Sequence, residues 1–270
     1  MPLVPSYIQN LSNYVPGKSI DELEREGIKN IYKLASNENS LGPSPKALDA
    51  IKKSLMNVHR YPDMVGFELR TKLAKKFNIK MDNVILGAGS EGIMSTIMRT
   101  FLLNDDEIIS AENSFIGFKV LANASGKNVN WVPMNNYKYD LEAMARKVTE
   151  YTKIIYIANP DNPMGTYINR KDFEEFYKHI PERVLIILDE AYFEFAESES
   201  VLIASKSSKV RSFRLSKVSE VPFLIPVPVA FTTLLPFKIS ATLNLVASST
   251  ILVSSSASFL DSAKCSSSIA

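Results

Sequence analysis

A chain of 270 residues is long enough to bury one large α/β domain or two smaller ones. Hydrophobic residues make up 46% and charged residues 22%, ordinary for a soluble globular protein, and a formal net charge of +2 gives no reason to expect nucleic acid or an acidic membrane as partner. The single cysteine, Cys265, excludes an internal disulfide and fits a reducing cytoplasm, and with only His59 and His179 as histidines a zinc or iron site is not expected. Residues 1–6 lack the basic-then-apolar pattern of a secretory signal.

In chain order, Pro43-Ser44-Pro45 opens an amphipathic helix with Ala47, Leu48, Ile51 and Leu55 on one face. Leu69, Leu73 and Phe77 stand at helical spacing in a second helix over 67–77. Val84-Ile85-Leu86 reads as a short strand leading into Gly87-Ala88-Gly89-Ser90-Glu91-Gly92, and a helix follows through Ile93, Ile97 and Phe101. A strand is expected over 107–110, a helix over 115–124 and a strand over 128–133. Asp140 caps a helix ending near Val148, 153–158 is an apolar strand, Asn169 caps a helix to about Lys178, and 183–188 is the next strand. This alternation predicts a parallel or mixed sheet covered by helices on both faces.

The chain changes character near residue 197. All ten glycines lie at or before Gly165 and all eleven tyrosines at or before Tyr192, whereas residues 198–270 hold 19 serines and only three acids, Glu199, Glu220 and Asp261. Turns in packed domains usually recruit glycine, because it alone adopts positive φ without cost. Prolines at 222, 226, 228 and 236 interrupt the apolar run 221–237, which suits neither a helix nor a central strand. Residues 239–260 are uncharged and long enough to span a bilayer, but carry seven serines, two threonines and an asparagine without the usual aromatic or basic flanks. A membrane anchor there is one alternative. The preferred expectation is a segment translated out of frame, or a fusion, after a native sequence ending near Glu197.

The chemistry-bearing residues sit at the ends of the expected strands. Small residues in Gly87-Ala88-Gly89-Ser90-Glu91 allow close backbone approach, and the following helix N-terminus offers free N–H groups to a phosphate; a plain tight strand–helix turn explains the same residues. Gly92 completes a G-x-G-x-x-G spacing, but the nearest acid that could serve a ribose is Glu112, so a dinucleotide site is the lesser alternative. Phe115 and Phe118 follow a strand, as a stacking partner for a flat ring or as two core aromatics. Asn162 lies in the loop Asn159-Pro160-Asp161-Asn162-Pro163-Met164-Gly165, as a ligand contact or as a turn residue. Asp189 directly follows Val184-Leu185-Ile186-Ile187-Leu188, and a carboxylate there is costly to bury unless paired; a pyridinium N–H would offset that cost. Glu190 reads as a helix-start or surface acid, and Tyr192 is near enough to reach the same ligand as Asp189.

The order of these segments resembles the fold-type I aminotransferases, and within them the histidinol-phosphate aminotransferase family, over about residues 6–196. The resemblance is carried by Tyr7-Ile8-Gln9, Tyr14-Val15-Pro16-Gly17-Lys18, the stretch Lys33-Leu34-Ala35-Ser36-Asn37-Glu38-Asn39-Ser40-Leu41-Gly42-Pro43-Ser44, Arg60-Tyr61-Pro62-Asp63, Gly89-Ser90-Glu91, Phe115, Asn162-Pro163-x-Gly165 and Asp189-Glu190-Ala191-Tyr192. It implies an α/β fold: a three-layer αβα large domain with a mixed, mostly parallel sheet, ending here before its last strands and without the C-terminal small domain. The division it implies is an N-terminal arm over 1–40, a partial cofactor-binding domain over 41–197, and a serine-rich, glycine-free tail over 198–270 that is not a native domain.

By the same resemblance the cofactor is pyridoxal 5'-phosphate. Gly89 and Ser90 bind its phosphate, Phe115 stacks on its ring, Asn162 and Tyr192 bond its ring oxygen, and Asp189 pairs with its ring nitrogen. Tyr14, Asn39 and Tyr61 are implied on the substrate side, Tyr61 across a homodimer interface. The implied activity is transamination between histidinol phosphate and 2-oxoglutarate in histidine biosynthesis, in the cytoplasm, with small amino and 2-oxo acids as partners and neither nucleic acid nor membrane. Phe115 stands where the family has tyrosine, and Met164 where it has threonine. The larger departure follows Asp189. Lys217 is the candidate for the cofactor lysine, yet Val218-Ser219-Glu220 follows it in place of a Gly-containing stretch, and matching arginines are missing. The alternative expectation is therefore an inactive remnant that binds the cofactor weakly.

Overall fold

Branched aliphatic residues in two short runs build the centre of the molecule. The structure, a computed structural model, describes residues 3–12, 16–39 and 41–196, together with the backbone of three strands beyond them. Strand β1 is Glu107–Ala111, β2 Asn128–Val132, β3 Thr152–Ala158 and β4 Leu185–Asp189; β5 is Ser212–Ser216, β6 Ser240–Ala241 and β7 Thr250–Ser254. They form a 7-stranded sheet in the order β2-β1-β3-β4-β5-β7, with β6 also paired to β4. Every pairing is parallel except β5 with β7, so the sheet is mixed and mostly parallel.

Alternation along β3 and β4 divides the core in two. Ile154, Tyr156, Leu185 and Ile187 face one side with Leu73, Ile93, Met94, Ile97 and Phe118. Ile155, Ile157, Ile186 and Leu188 face the other with Met144, Phe173 and Phe176. The first side is covered by helices α4 (Phe67–Phe77), α5 (Gly89–Phe101) and α6 (Ile116–Ala124), the second by α7 (Leu141–Arg146) and α8 (Arg170–Lys178). A strand buried on both faces has no polar side to alternate with, which is why 184–188 is an unbroken apolar run. Ahead of this layer lie three helices of the N-terminal part, α1 (Ser6–Gln9), α2 (Ile20–Arg25) and α3 (Pro45–Ser54).

The caps stand where side-chain chemistry puts them. Asp140 accepts from the Ala143 amide at 2.8 Å and Asn169 from the Asp172 amide at 2.8 Å, each satisfying a first-turn N–H that has no helical partner. Two expectations differ from what is observed. Val84-Ile85-Leu86 is extended but forms no strand, and the Val84 carbonyl accepts from the Arg70 side chain. The apolar stripe of α3 is only partly covered by the described residues: Ala47 and Ile51 are half-buried, but Leu48 and Leu55 are exposed. No helix among the described residues is long and apolar enough to cross a membrane. Of the segment 239–260, only the backbone of β6 and β7 is described.

The two-sided core sets a ranking that urea denaturation can read. Ile157→Ala, at a fully buried position, should cost about 2–5 kcal/mol, and loss of the α8 cap in Asn169→Ala about 1 kcal/mol. An Ile157→Ala cost no larger than that of the cap would contradict a tightly packed second face.

Candidate functional site

In a parallel sheet the carboxyl ends of all strands open on one edge, and the loops leaving that edge form the crevice. Here the loops after β1, β3 and β4 converge. The β3 loop is tied down by its own polar groups. Asn159 Oδ1 accepts from the Ile168 amide at 2.6 Å, and the Asn159 amide donates to the Asp189 carbonyl at 2.6 Å. The peptide bonds before Pro160 and Pro163 are cis, and Gly165 takes φ +71°, the left-handed region that glycine enters freely.

Asp161 anchors this loop to its neighbours. Its Oδ1 accepts from Ser114 Oγ at 2.6 Å and from the Tyr139 hydroxyl at 3.2 Å, and its Oδ2 from the Met164 amide at 3.2 Å. The Tyr139 oxygen in turn accepts from the Ala158 amide at 2.9 Å. All three side chains and both backbone amides belong to buried or half-buried residues, so the cluster joins β1, β3 and the segment before α7 in one hydrogen-bonded unit. Burial pushes the Asp161 carboxyl up, against the pull of Ser114, Met164 and Tyr139, and burial pushes the Tyr139 phenol well up, with the Asp161 charge adding to it.

Asp189 ends β4 with 3% exposure. Its Oδ2 accepts from the Tyr156 hydroxyl at 2.6 Å and its Oδ1 from the Ala191 amide at 3.1 Å. Both donors are neutral, and no ion pair to Asp189 is found among the described residues. Burial is the main reason its carboxyl lies well above the usual range; Tyr156 and Ala191 pull it down, while the charges of Asp161 and Glu190 push it further up. Glu190, expected as a surface or helix-start acid, is fully buried, a correction that follows from its place at the end of a central strand.

Above this edge lies a cavity of about 670 Å³, within the range of small-molecule sites. Asn162 and Tyr192 line it, and the segment 37–39 closes one side. Asn37 Nδ2 donates to the Tyr192 hydroxyl at 2.9 Å, so the Tyr192 proton is left to point elsewhere. Asn39 lines the same cavity.

Of the other expected residues that are described, Asp189, Gly89, Ser90, Phe115 and Tyr61 do not line this cavity. Gly89 opens α5 with φ +68°, and Ser90 beside it is 1% exposed with an Oγ that has no hydrogen-bond partner among the described residues. Phe115 is buried just before α6, and a Cβ added at Gly117 would stand 2.5 Å from its ring and 2.5 Å from Glu91 Oε1, so the starts of α5 and α6 are in close contact. Phe118 stacks on Tyr156, with ring centroids 3.8 Å apart and planes 8° from parallel, which makes it a core aromatic with one face already taken. Tyr61 is 98% exposed and does not line the cavity. Tyr14 and Lys217 lie outside the described residues.

Sequence reasoning missed Tyr156, Ser114, Tyr139, Asp161 and Asn37. Of these only Tyr156 left a signal: a tyrosine in an isoleucine strand, two positions before the small Ala158, hints at a hydroxyl with a buried partner.

Residues 29–224 match the family of class I and II aminotransferases. Similar curated proteins include the histidinol-phosphate aminotransferase of Anaeromyxobacter sp. (strain Fw109-5), 40% identical over 200 residues that cover 73% of this chain and 55% of that protein. Histidinol-phosphate aminotransferase 2 of Carboxydothermus hydrogenoformans is 43% identical over 195 residues, 72% of this chain and 54% of the relative. The chain thus spans about half the length of the curated relatives it matches. A solved histidinol-phosphate aminotransferase from Sinorhizobium meliloti, in complex with pyridoxal-5'-phosphate, superposes with a TM-score of 0.71 at 27% identity over 85% of this chain and 62% of that one. Aspartate aminotransferase from Thermus thermophilus with maleate, 18% identical, shares the fold with a TM-score of 0.67 over 81% of this chain and 61% of that one. With a mixed αβα sheet of the fold-type I kind and this match over most of its length, the chain belongs to the class I and II aminotransferase family.

Proposed function

We propose that the chain holds pyridoxal 5'-phosphate and serves transamination between histidinol phosphate and 2-oxoglutarate in histidine biosynthesis, as a cytoplasmic homodimer. The observation that carries this reading is Asp189: a carboxyl 3% exposed, held by two neutral donors, at the ligand-binding edge of the sheet. Burying a carboxylate without a cation costs several kcal/mol, on the order of the penalty for one unpaired ion. A protonated pyridine nitrogen is a cation of the right shape to remove that cost.

Two further features fit the same group. The unpartnered Ser90 Oγ at the N-terminus of the 13-residue helix α5 suits a phosphate, which the helix dipole and free N–H groups also favour. Asn162 and Tyr192 are donors on one cavity wall, suited to an anionic ring oxygen. In this reading Gly89 and Ser90 hold the phosphate, Phe115 covers the ring, Asn162 and Tyr192 donate to the ring oxygen, and Asp189 keeps a proton on the ring nitrogen. When bound, the cofactor supplies an electron-withdrawing ring that weakens a bond at the substrate carbon bearing nitrogen. Asp189 sustains that withdrawal by its negative charge, and Asn39 and Tyr61 are assigned to the substrate. Lys217, the candidate cofactor lysine, and Tyr14 lie outside the described residues. Within the chain, 1–40 is read as an arm, 41–197 as the cofactor-holding domain and 198–270 as a tail without a native domain. Exposed Leu34, Leu41, Met56, Val58, Tyr61 and Met64 supply the apolar surface that a second subunit would cover.

Titrating the purified chain with pyridoxal phosphate should give saturable absorbance and fluorescence changes, and Ser90→Ala should weaken binding by about tenfold, the worth of one charge-assisted hydrogen bond. Glutamate formed from histidinol phosphate and 2-oxoglutarate reports turnover. Binding without glutamate would remove the transamination and leave a cofactor binder; no binding would remove the whole reading.

Asp189 also predicts a pH dependence. Its folded-state value lies above the ordinary 3.8, so the native chain holds its proton more tightly than the unfolded one. The stability this contributes is full below that ordinary value and is lost as pH rises toward the raised folded value. Asp189→Asn should therefore melt higher than the parent in cofactor-free form at pH 8, with the difference vanishing near pH 3.5. A parent chain melting higher at pH 8 would mean the carboxylate is already compensated.

A further inference from the structure

Tyr156 stands in the middle of β3 with 0% exposure, on a mostly apolar face. Its ring stack on Phe118 needs no hydroxyl, and phenylalanine would fill the same space. A hydroxyl taken out of water costs about 1–3 kcal/mol unless it is bonded. Its bond is to Asp189 Oδ2, at 2.6 Å.

Strand register makes that contact possible. Parallel pairing sets Ala158 beside Asp189 and Tyr156 beside Ile187, and Tyr156 and Ala158 share one face. The small Ala158 leaves the space through which the phenol reaches the carboxyl. Asp189 Oδ1 is held by the Ala191 amide, and each carboxylate oxygen has two lone pairs, so one acceptor site on each oxygen is left for a ligand.

We propose that Tyr156 is a positioning residue for the cofactor: through Oδ2 its hydroxyl holds the Asp189 carboxylate in one orientation, ionised, for the ring nitrogen. This rests on the pyridoxal phosphate reading above. The groups that act on Asp189 are Tyr156 from β3, Asp161 from the following loop, and Glu190 and the Ala191 amide beyond β4. Among the described residues, burial, Asp161 and Glu190 favour the neutral acid, and Tyr156 and the Ala191 amide oppose them. Tyr156 keeps its own proton, since burial and then the Asp189 charge push its phenol well above the ordinary value. Without the hydroxyl the carboxyl would be protonated over more of the working range, and a neutral acid does not hold a cation.

The test is Tyr156→Phe in the full chain, a change that keeps the Phe118 stack. In the cofactor-free protein, carbon-13 NMR of labelled aspartate carboxyls follows Asp189, its signal identified by its absence in Asp189→Asn. The Asp189 midpoint should rise by about one pH unit or more; an unmoved midpoint overturns the proposal. Affinity is then measured for pyridoxal phosphate and for the analogue with carbon in place of the ring nitrogen. Tyr156→Phe should weaken the first by about tenfold and leave the second within about twofold. Equal loss for both compounds is what a merely structural hydroxyl would produce, and it overturns the proposal, as does no loss for either. If the parent chain binds neither compound, the cofactor reading fails and takes the proposal with it, a result distinct from a parent that binds and a variant that matches it.

Discussion

The parallel pairing of β3 with β4 places a carboxyl in the interior at the end of a fully apolar strand, and the surrounding structure answers to that placement. Asp189 has little access to water: its strand is buried on both faces, its neighbours across the sheet are Ala158 and Leu215, and its carbonyl is bonded to the Asn159 amide. The charge is instead managed by neutral donors. That arrangement is weaker than an ion pair, and it leaves the carboxylate's attraction for a cation largely unspent.

The same device occurs twice. Tyr139 and Asp161 form a second phenol–carboxyl contact, with Ser114 as a third member. Tyr139 packs with the core on one face of the sheet and Tyr156 with the core on the other. The two pairs therefore brace the end of β3 from both sides. They also feel each other, since the Asp161 charge raises Asp189. Buried carboxyls pushed toward their neutral form are a stability cost at higher pH, of the kind that marks ligand sites, where surroundings over-determine an arrangement that free folding would avoid.

One wall of the cavity comes from far away in sequence. Asn37 reaches Tyr192 across 155 positions, and Glu38 and Asn39 line the cavity with it. The Tyr7 ring lies against Gly126, where an added Cβ would come within 2.7 Å, so α1 is seated on the helical layer near α6. The cavity is lined by residues that follow β3 and β4 and by the segment 37–39. Aminotransferase family membership and this geometry point the same way, toward a ligand held by its edges between the two.

Much of the fold was legible in the sequence because it is written in local patterns. The apolar runs at 153–158 and 184–188, the caps Asp140 and Asn169, and the start of α5 at Gly89-Ser90 each depend on residues within a few positions, and each element lies close to where those patterns put it. The strand expected at 84–86 is not formed, and its Val84 carbonyl accepts instead from the side chain of Arg70, 14 positions away. Family motifs likewise marked Asp189, Asn162 and Tyr192 as a group, since their order along the chain is itself the signal. What only the tertiary structure decided are the relations across strands: that Ala158 stands beside Asp189, that the Tyr156 hydroxyl reaches its carboxyl, that Ser114 and Tyr139 meet at Asp161, and that Asn37 rests on Tyr192. Those contacts depend on strand register and chain crossing, and no local rule of spacing encodes either.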